Sequence, residues 1–351
     1  MTDLPQSLAQ KPLLRALQHQ RSEQVPFWFM RQAGRYLPEY RALRAKARDF
    51  VALCLTPELA AEITLQPLRR YGMDAAILFA DILLVPHALG QRLEFREGEG
   101  PVLEPVRSAA DLARLDGSQL HQSLAPVYET VRRVAAALTP EQTLIGFAGA
   151  PWTVATYMVE GHGGTDFATV KRWAWSDPDG FQQLIDRLVM ATAEYLMAQV
   201  DAGAEAVQLF DTWAGALPAD QFRRWCVQPV AEITRLLRLR HPQVPVIAFP
   251  RGAGALAVEL VERSGVNAIG IDWTVDPQWV AQSLQPRAAV QGNLDPRLLV
   301  VGGAPMLRAA DAILDALGHG PFVFNLGHGI VPETPPEHVA ALSAHVKAWR
   351  A

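Results

Sequence analysis

Hydrophobic residues along this chain gather in short bursts. Eight runs stand out, at 25–30, 75–80, 143–148, 206–210, 244–249, 268–271, 288–291 and 322–326. Each is bounded by polar residues or glycine and reads as a strand buried on both faces, as in a parallel sheet. Helical patterns lie between them, for example at 57–71, 124–137, 180–202, 221–239 and 304–317. A closing helix is expected over 333–349, opened by Pro335 and Pro336. The stretch 97–107 reads as an ordered loop or a small hairpin.

Strand and helix alternating eight times predict a (β/α)8, TIM-type barrel. The rival is a doubly wound open sheet. No Gly-x-Gly-x-x-Gly turn follows a strand; Gly252-Ala253-Gly254 comes nearest and lacks the later glycine and the distal acid. No Pro/Gly/Ser linker, repeat or low-complexity tract divides the chain, so one domain over 1–351 is expected.

Composition narrows the partners. Half of the 351 residues are hydrophobic and 19% are charged, with no long block of like charge. A net charge of −4 supplies no general pull toward nucleic acid or an anionic membrane. An anionic ligand must be drawn by local arginines. Cys54 and Cys226 are the two cysteines, too few for a disulfide framework and without zinc-site spacing. Residues 1–20 show no signal-peptide core, and no window is apolar enough for a membrane span. A soluble, cytoplasmic protein is the expectation.

Candidate chemistry begins where the first apolar run stops, at Arg31. A short loop with Gly34 leads to Arg35, and Pro38 bars a regular helix from running through it. Two guanidiniums and several free N–H groups make an anion trap suited to carboxylates. In a barrel the active site lies at the carboxyl ends of the strands. Those ends carry Arg31 and Arg35, then Asp81, then Gly149-Ala150-Pro151-Trp152 with Tyr157, then Asp211, Thr212 and Trp213, then Arg251, Asp272, Asn293, and finally Asn325, Gly327 and His328.

Each has a plain alternative. Asp81 sits in an apolar setting and either caps a helix, pairs with an arginine, or awaits a cationic ligand group. Tyr157 either packs in a helix or offers its hydroxyl. Thr212 either caps a helix or faces the site. His328, in a Gly-His-Gly turn, is either structural or functional; the flanking glycines let backbone approach a ligand. Histidines such as His87, His121 and His162 show no metal-ligand spacing.

With these residues in place, the chain resembles the uroporphyrinogen decarboxylase family along nearly its whole length. The match is carried by Met30-Arg31-Gln32-Ala33-Gly34-Arg35-Tyr36-Leu37-Pro38-Glu39-Tyr40, Phe79-Ala80-Asp81-Ile82-Leu83, Gly146-Phe147-Ala148-Gly149-Ala150-Pro151-Trp152-Thr153, Tyr157-Met158-Val159-Glu160-Gly161, Gln208-Leu209-Phe210-Asp211-Thr212-Trp213-Ala214-Gly215 and Asn325-Leu326-Gly327-His328-Gly329. The resemblance implies a (β/α)8 barrel, a homodimer, and decarboxylation of the four acetate arms of uroporphyrinogen III to methyls with no metal or organic cofactor. It implies substrate binding by Arg31, Gln32, Ala33, Gly34, Arg35, Asp81, Tyr157, Thr212 and His328, with Asp81, Arg31 and Tyr157 in catalytic roles. Where the family often has serine this chain has Thr212, which keeps the hydroxyl. Two other readings share the barrel or pocket: a cobamide-linked methyltransferase, which would need a zinc-binding His/Cys cluster, and a non-catalytic tetrapyrrole carrier.

Overall fold

A computed structural model describes residues 11–21, 24–96 and 98–350. Residues 1–10, 22–23 and 351 of the expected 1–351 unit, which take in the first half of the 1–20 stretch, and Glu97 at the head of the expected hairpin lie outside them. Among the described residues there are nine strands: β1 (Ala75–Ile77), β2 (Leu93–Arg96), β3 (Gly100–Leu103), β4 (Thr143–Gly149), β5 (Ala206–Asp211), β6 (Val246–Pro250), β7 (Ala268–Gly270), β8 (Ala289–Leu294) and β9 (Phe322–Leu326). Seven form one parallel sheet in the order β1-β4-β5-β6-β7-β8-β9. β2 and β3 form a separate antiparallel hairpin, as expected for that stretch.

The run at 25–30 departs from expectation: it is no regular strand. One parallel bridge joins Phe27 to Phe324. Trp28 N–H donates to the Phe324 carbonyl, and Phe324 N–H to that of Pro26. On its other flank Asp74 N–H donates to the Phe27 carbonyl, while Phe27 N–H donates to the Asp74 side chain at 2.9 Å. The Phe29 and Met30 N–H groups also donate to side chains, those of Gln32 and Asn325. Pro26 has no N–H to give, and side-chain acceptors replace part of the ladder. The segment still lies between β9 and β1 and closes the barrel, so the sheet has eight staves.

Most strands are buried on both faces, which explains their continuous apolar runs; every residue of β4 and β8 is buried. The barrel interior holds a polar line: Trp28 Nε1 donates to Gln291 Oε1 at 2.9 Å, and Gln291 Nε2 to Gln208 Oε1 at 3.0 Å. Toward the strand ends the filling turns aromatic. Phe147, Phe210 and Phe249 stack edge to face with centroids 5.5 and 6.1 Å apart.

The helix Pro57–Tyr71 begins with proline in its first turn and ends on Gly72 at φ 61°, left-handed backbone that suits glycine. Its face with Ala60, Ile63, Thr64 and Leu68 is buried. Thr64 Oγ1 accepts the Phe79 N–H at 3.0 Å, so this helix holds the segment leading to Asp81. The expected helix over 221–239 is interrupted by a wider π turn at Arg223–Val227 before the helix Gln228–Arg240. Pro229 follows and cannot donate to the preceding turn.

Candidate active site

The loop after the first stave is built from within. Arg31 adopts φ 58°, left-handed backbone that costs a non-glycine residue about 1 kcal/mol. Gln32 holds it there. Its Oε1 accepts the Phe29 N–H and its Nε2 donates to the Ala75 carbonyl, both at 3.0 Å, and it has no exposed surface. The Tyr36 hydroxyl donates to the Gln32 carbonyl. Gly34 passes close to the Arg31 carbonyl, and Pro38 opens the helix Pro38–Arg44. Arg31 and Arg35 remain exposed, with Ala33 and Gly34 half-buried between them. The Gln32 side chain is therefore fully engaged inside the protein.

Asn325 ties this loop to the last one. Its Oδ1 accepts N–H groups from Met30 and Leu326, and Ile330 N–H donates to the Met30 carbonyl. Arg31 and His328 are thereby brought to one place. Gly329 lies under the Arg31 stem: a Cβ there would overlap Arg31 Cγ and Cδ. At Gly327 a Cβ would strike the backbone of Asp272 and Trp273, so the turn passes the β7 end only as glycine.

Asp81 has neither plain employment. The next helix, Leu84–Ala88, is capped at Leu83 without a side-chain bond. Among the described residues no arginine lies within ion-pair distance of Asp81. Its one donor is the Leu83 N–H, at 2.9 Å on Oδ1. The surrounding apolar protein pushes its carboxyl up to about 6, opposed by that N–H and by the Arg31 charge. The group is a carboxylate with unspent acceptor capacity in an apolar cleft.

Tyr157 stands on the helix Pro151–Glu160, its ring 6.0 Å from that of Trp213 and against Gly163. Burial and then the Asp81 charge raise its pKa, so the hydroxyl stays protonated. Thr212 caps no helix; the short turn Ala214–Ala216 is capped at Trp213 without a side-chain bond. Its neighbours are fixed. Thr153 Oγ1 donates to Asp211 Oδ1 at 2.5 Å and accepts the Trp213 N–H at 3.0 Å, while Trp152 Nε1 donates to the Trp213 carbonyl. Asp211 is buried, and burial raises its carboxyl to about 6. The weakly donating Cys226 thiol lies beside the carboxyl, and Oδ2 has no hydrogen-bond partner among the described residues.

His328 sits with its ring centroid 6.2 Å from Phe249, extending the aromatic ladder. Burial, then Arg31 and Arg251, lower its pKa to about 3, against the pull of Asp272. At neutral pH it is an uncharged imidazole with one donor and one acceptor.

The Arg31 charge thus reaches Asp81, Tyr157 and His328, and the Asp81 charge reaches Tyr157. The Arg35 charge is felt at Tyr40 and Glu333 on the rim. The Thr153 latch and the Gly329 seat for Arg31 were not legible in the sequence, since both depend on partners far apart in the chain. Two surface depressions, of about 410 Å³ beside Leu120 and Met190 and about 430 Å³ beside Lys171 and Trp175, include no strand-end residue. Among the described residues no three His, Cys, Asp or Glu side chains gather as a metal-binding group, and no helix is long and apolar enough to cross a membrane.

Comparison with known proteins follows the same lines. The family model for uroporphyrinogen decarboxylase (URO-D) matches residues 8–349. A uroporphyrinogen decarboxylase from Rhodospirillum rubrum is 56% identical over 98% of this chain and 99% of its own. Another from Chelativorans sp. is 52% identical over 98% of this chain and 100% of its own. Among solved structures, a methyltransferase from Methanosarcina mazei superposes with TM-score 0.76 over 95% of this chain and 97% of that one, at 20% identity, a likeness of fold. The chain belongs to the uroporphyrinogen decarboxylase family.

Proposed function

We propose that the protein removes the four acetate carboxyls of uroporphyrinogen III as carbon dioxide, giving coproporphyrinogen III, at the mouth that Arg31, Asp81, Tyr157, Thr212 and His328 surround. The observation that carries the site assignment is Asp81: a half-buried carboxylate in an apolar setting, with one local donor and no ion-pair partner among the described residues. A flexible macrocycle with four pyrrole N–H groups inside supplies the missing donors.

Loss of carbon dioxide needs an electron sink, and the substrate is its own. A proton adds to a pyrrole ring carbon and makes an iminium-like cation. The bond between the acetate CH2 and its carboxyl then breaks, and its electron pair neutralises the cation. Protonation of the exocyclic methylene and loss of the ring proton leave a methyl group, one proton consumed for each carbon dioxide released. Asp81 stabilises the cation as it forms, the differential binding that lowers a barrier. Guanidinium is a poor proton donor, so Arg31's part is to hold the departing arm. Tyr157 and His328 offer neutral donors, and Arg35 and the N–H groups of the 31–35 loop hold rim carboxylates.

The family resemblance extends this reading to one barrel unit over 1–351, a homodimer, and action in the cytoplasm. Sedimentation equilibrium tests the dimer; a mass of one chain would remove it. For the reaction, purified protein given anaerobic uroporphyrinogen III releases four equivalents of carbon dioxide and accumulates the tetracarboxylic product. Tight macrocycle binding with no carbon dioxide would make the protein a carrier instead.

A further inference from the structure

We propose that Arg251 is a second carboxylate-binding pole of the site, facing Arg31 across the barrel mouth and setting affinity for the far rim of the macrocycle. The inference rests on the decarboxylase reading and adds a residue to it.

The topology places it. The Phe27 segment is the first of eight staves, followed by β1, β4, β5 and β6. Arg31 leaves the first stave and Arg251 the fifth, so the two stand diametrically opposed. Both act on His328, which leaves the eighth.

The local structure holds Arg251 ready. Its N–H donates to the Asp211 carbonyl and its own carbonyl accepts the Gly215 N–H, fixing the backbone to the β5 end. Its guanidinium lies over the Trp273 ring, 5.3 Å from its centre, a cation–π contact that holds it at the mouth. Asp272, next to Trp273 in the chain, is already spent: its carboxylate accepts the Gly252 and Thr274 N–H groups and the Thr274 hydroxyl. Among the described residues Arg251 has no carboxylate partner. A half-buried, oriented, unpaired guanidinium is costly to keep unless a ligand carboxylate completes it.

The ligand supplies the reason for two poles. A macrocycle centred over Asp81 carries carboxylates around its whole periphery. Arg31 and Arg35 serve one side only. Trp273 is 37% exposed and offers an apolar wall beside the guanidinium for the adjoining pyrrole edge.

The test compares Arg251→Gln and Arg251→Lys with the unaltered protein. R251Q is expected to raise KM for uroporphyrinogen III about tenfold while kcat stays within about threefold, the loss of one charge-assisted contact. R251K, which keeps the charge but not the flat guanidinium, should recover part of that. R251Q should also flatten the dependence of KM on ionic strength. Fluorescence titration with oxidised, unreactive uroporphyrin reads the same pole without turnover and should show a matching loss of affinity. Unchanged KM and unchanged porphyrin affinity in R251Q, or a fall in kcat at unchanged KM, would overturn the proposal. If R251Q does not fold, R251K decides: unchanged KM there overturns it too. Absence of turnover in the unaltered protein would sink the decarboxylase reading instead, leaving the porphyrin titration to judge Arg251.

Discussion

Gly329 is the seat of Arg31: the arginine's Cγ and Cδ occupy the space that any side chain at 329 would claim. The two residues are almost the length of the barrel apart in sequence and meet because Ile330 and Met30 share a backbone bond. Gly329→Ala must therefore push the Arg31 stem aside. The expected result is a rise in KM of about tenfold or more, with a change in melting temperature of a few degrees at most. Steady-state kinetics beside thermal melts check this, and an unaltered KM would show that Arg31 does not hold the substrate from this position.

The raised pKa of Asp81 has a consequence for activity. The ionised carboxylate accepts pyrrole N–H bonds more strongly than the neutral acid, and it alone offsets a developing positive charge. kcat/KM, which reports the free enzyme, should fall on the acid side with an apparent pKa near 6. A pH–rate profile checks it; an acid limb at the ordinary carboxylate value near about 4 would place Asp81 in a wetter setting.

The same shift bears on stability, with a definite sign. A carboxyl whose folded pKa is raised stabilises the fold when protonated, below its unfolded value, and that contribution is lost as pH rises through about 6. Ionised Asp81 is a strain on the empty protein at neutral pH. Asp81→Asn should therefore melt higher at about pH 7.5, by up to about 3 kcal/mol before allowance for its partial exposure, and the gain should vanish near about pH 4. Melting curves at the two pH values check the sign.

Among the described residues Thr153 is the one strong side-chain donor to the buried Asp211, and it is also the acceptor for Trp213 N–H. Thr153→Val keeps the shape and removes both bonds. A loss of about 1–3 kcal/mol is expected. The Thr153 hydroxyl favours the ionised form of Asp211, whose folded pKa is near 6, so the loss should be larger at about pH 8 than at about pH 5. Thr153→Ser should restore most of it. Chemical denaturation at both pH values reads the effect.

The barrel was legible because its strands are buried on both faces and read as apolar runs; seven of them appear in the sheet where the runs lie. The first stave escaped because Asp74, Gln32 and Asn325 side chains substitute for a ladder, and side-chain acceptors leave no periodic trace. At the site, Arg31, Asp81 and His328 could be found because each is polar where an apolar run stops. Arg35, three residues past the buried Gln32, is exposed, and its charge reaches Glu333. The role of Gln32 as an internal brace, and of Thr153 as a latch, required tertiary contacts that spacing does not encode.

The central claim is that Asp81 stabilises the positive charge developing on the substrate. Anaerobic uroporphyrinogen III turned over by the unaltered protein and by Asp81→Asn, with products separated by carboxyl number, tests it most directly. The account predicts coproporphyrinogen III from the first, and from a folded Asp81→Asn a rate lower by about a hundredfold or more. Equal rates from the two proteins would contradict it.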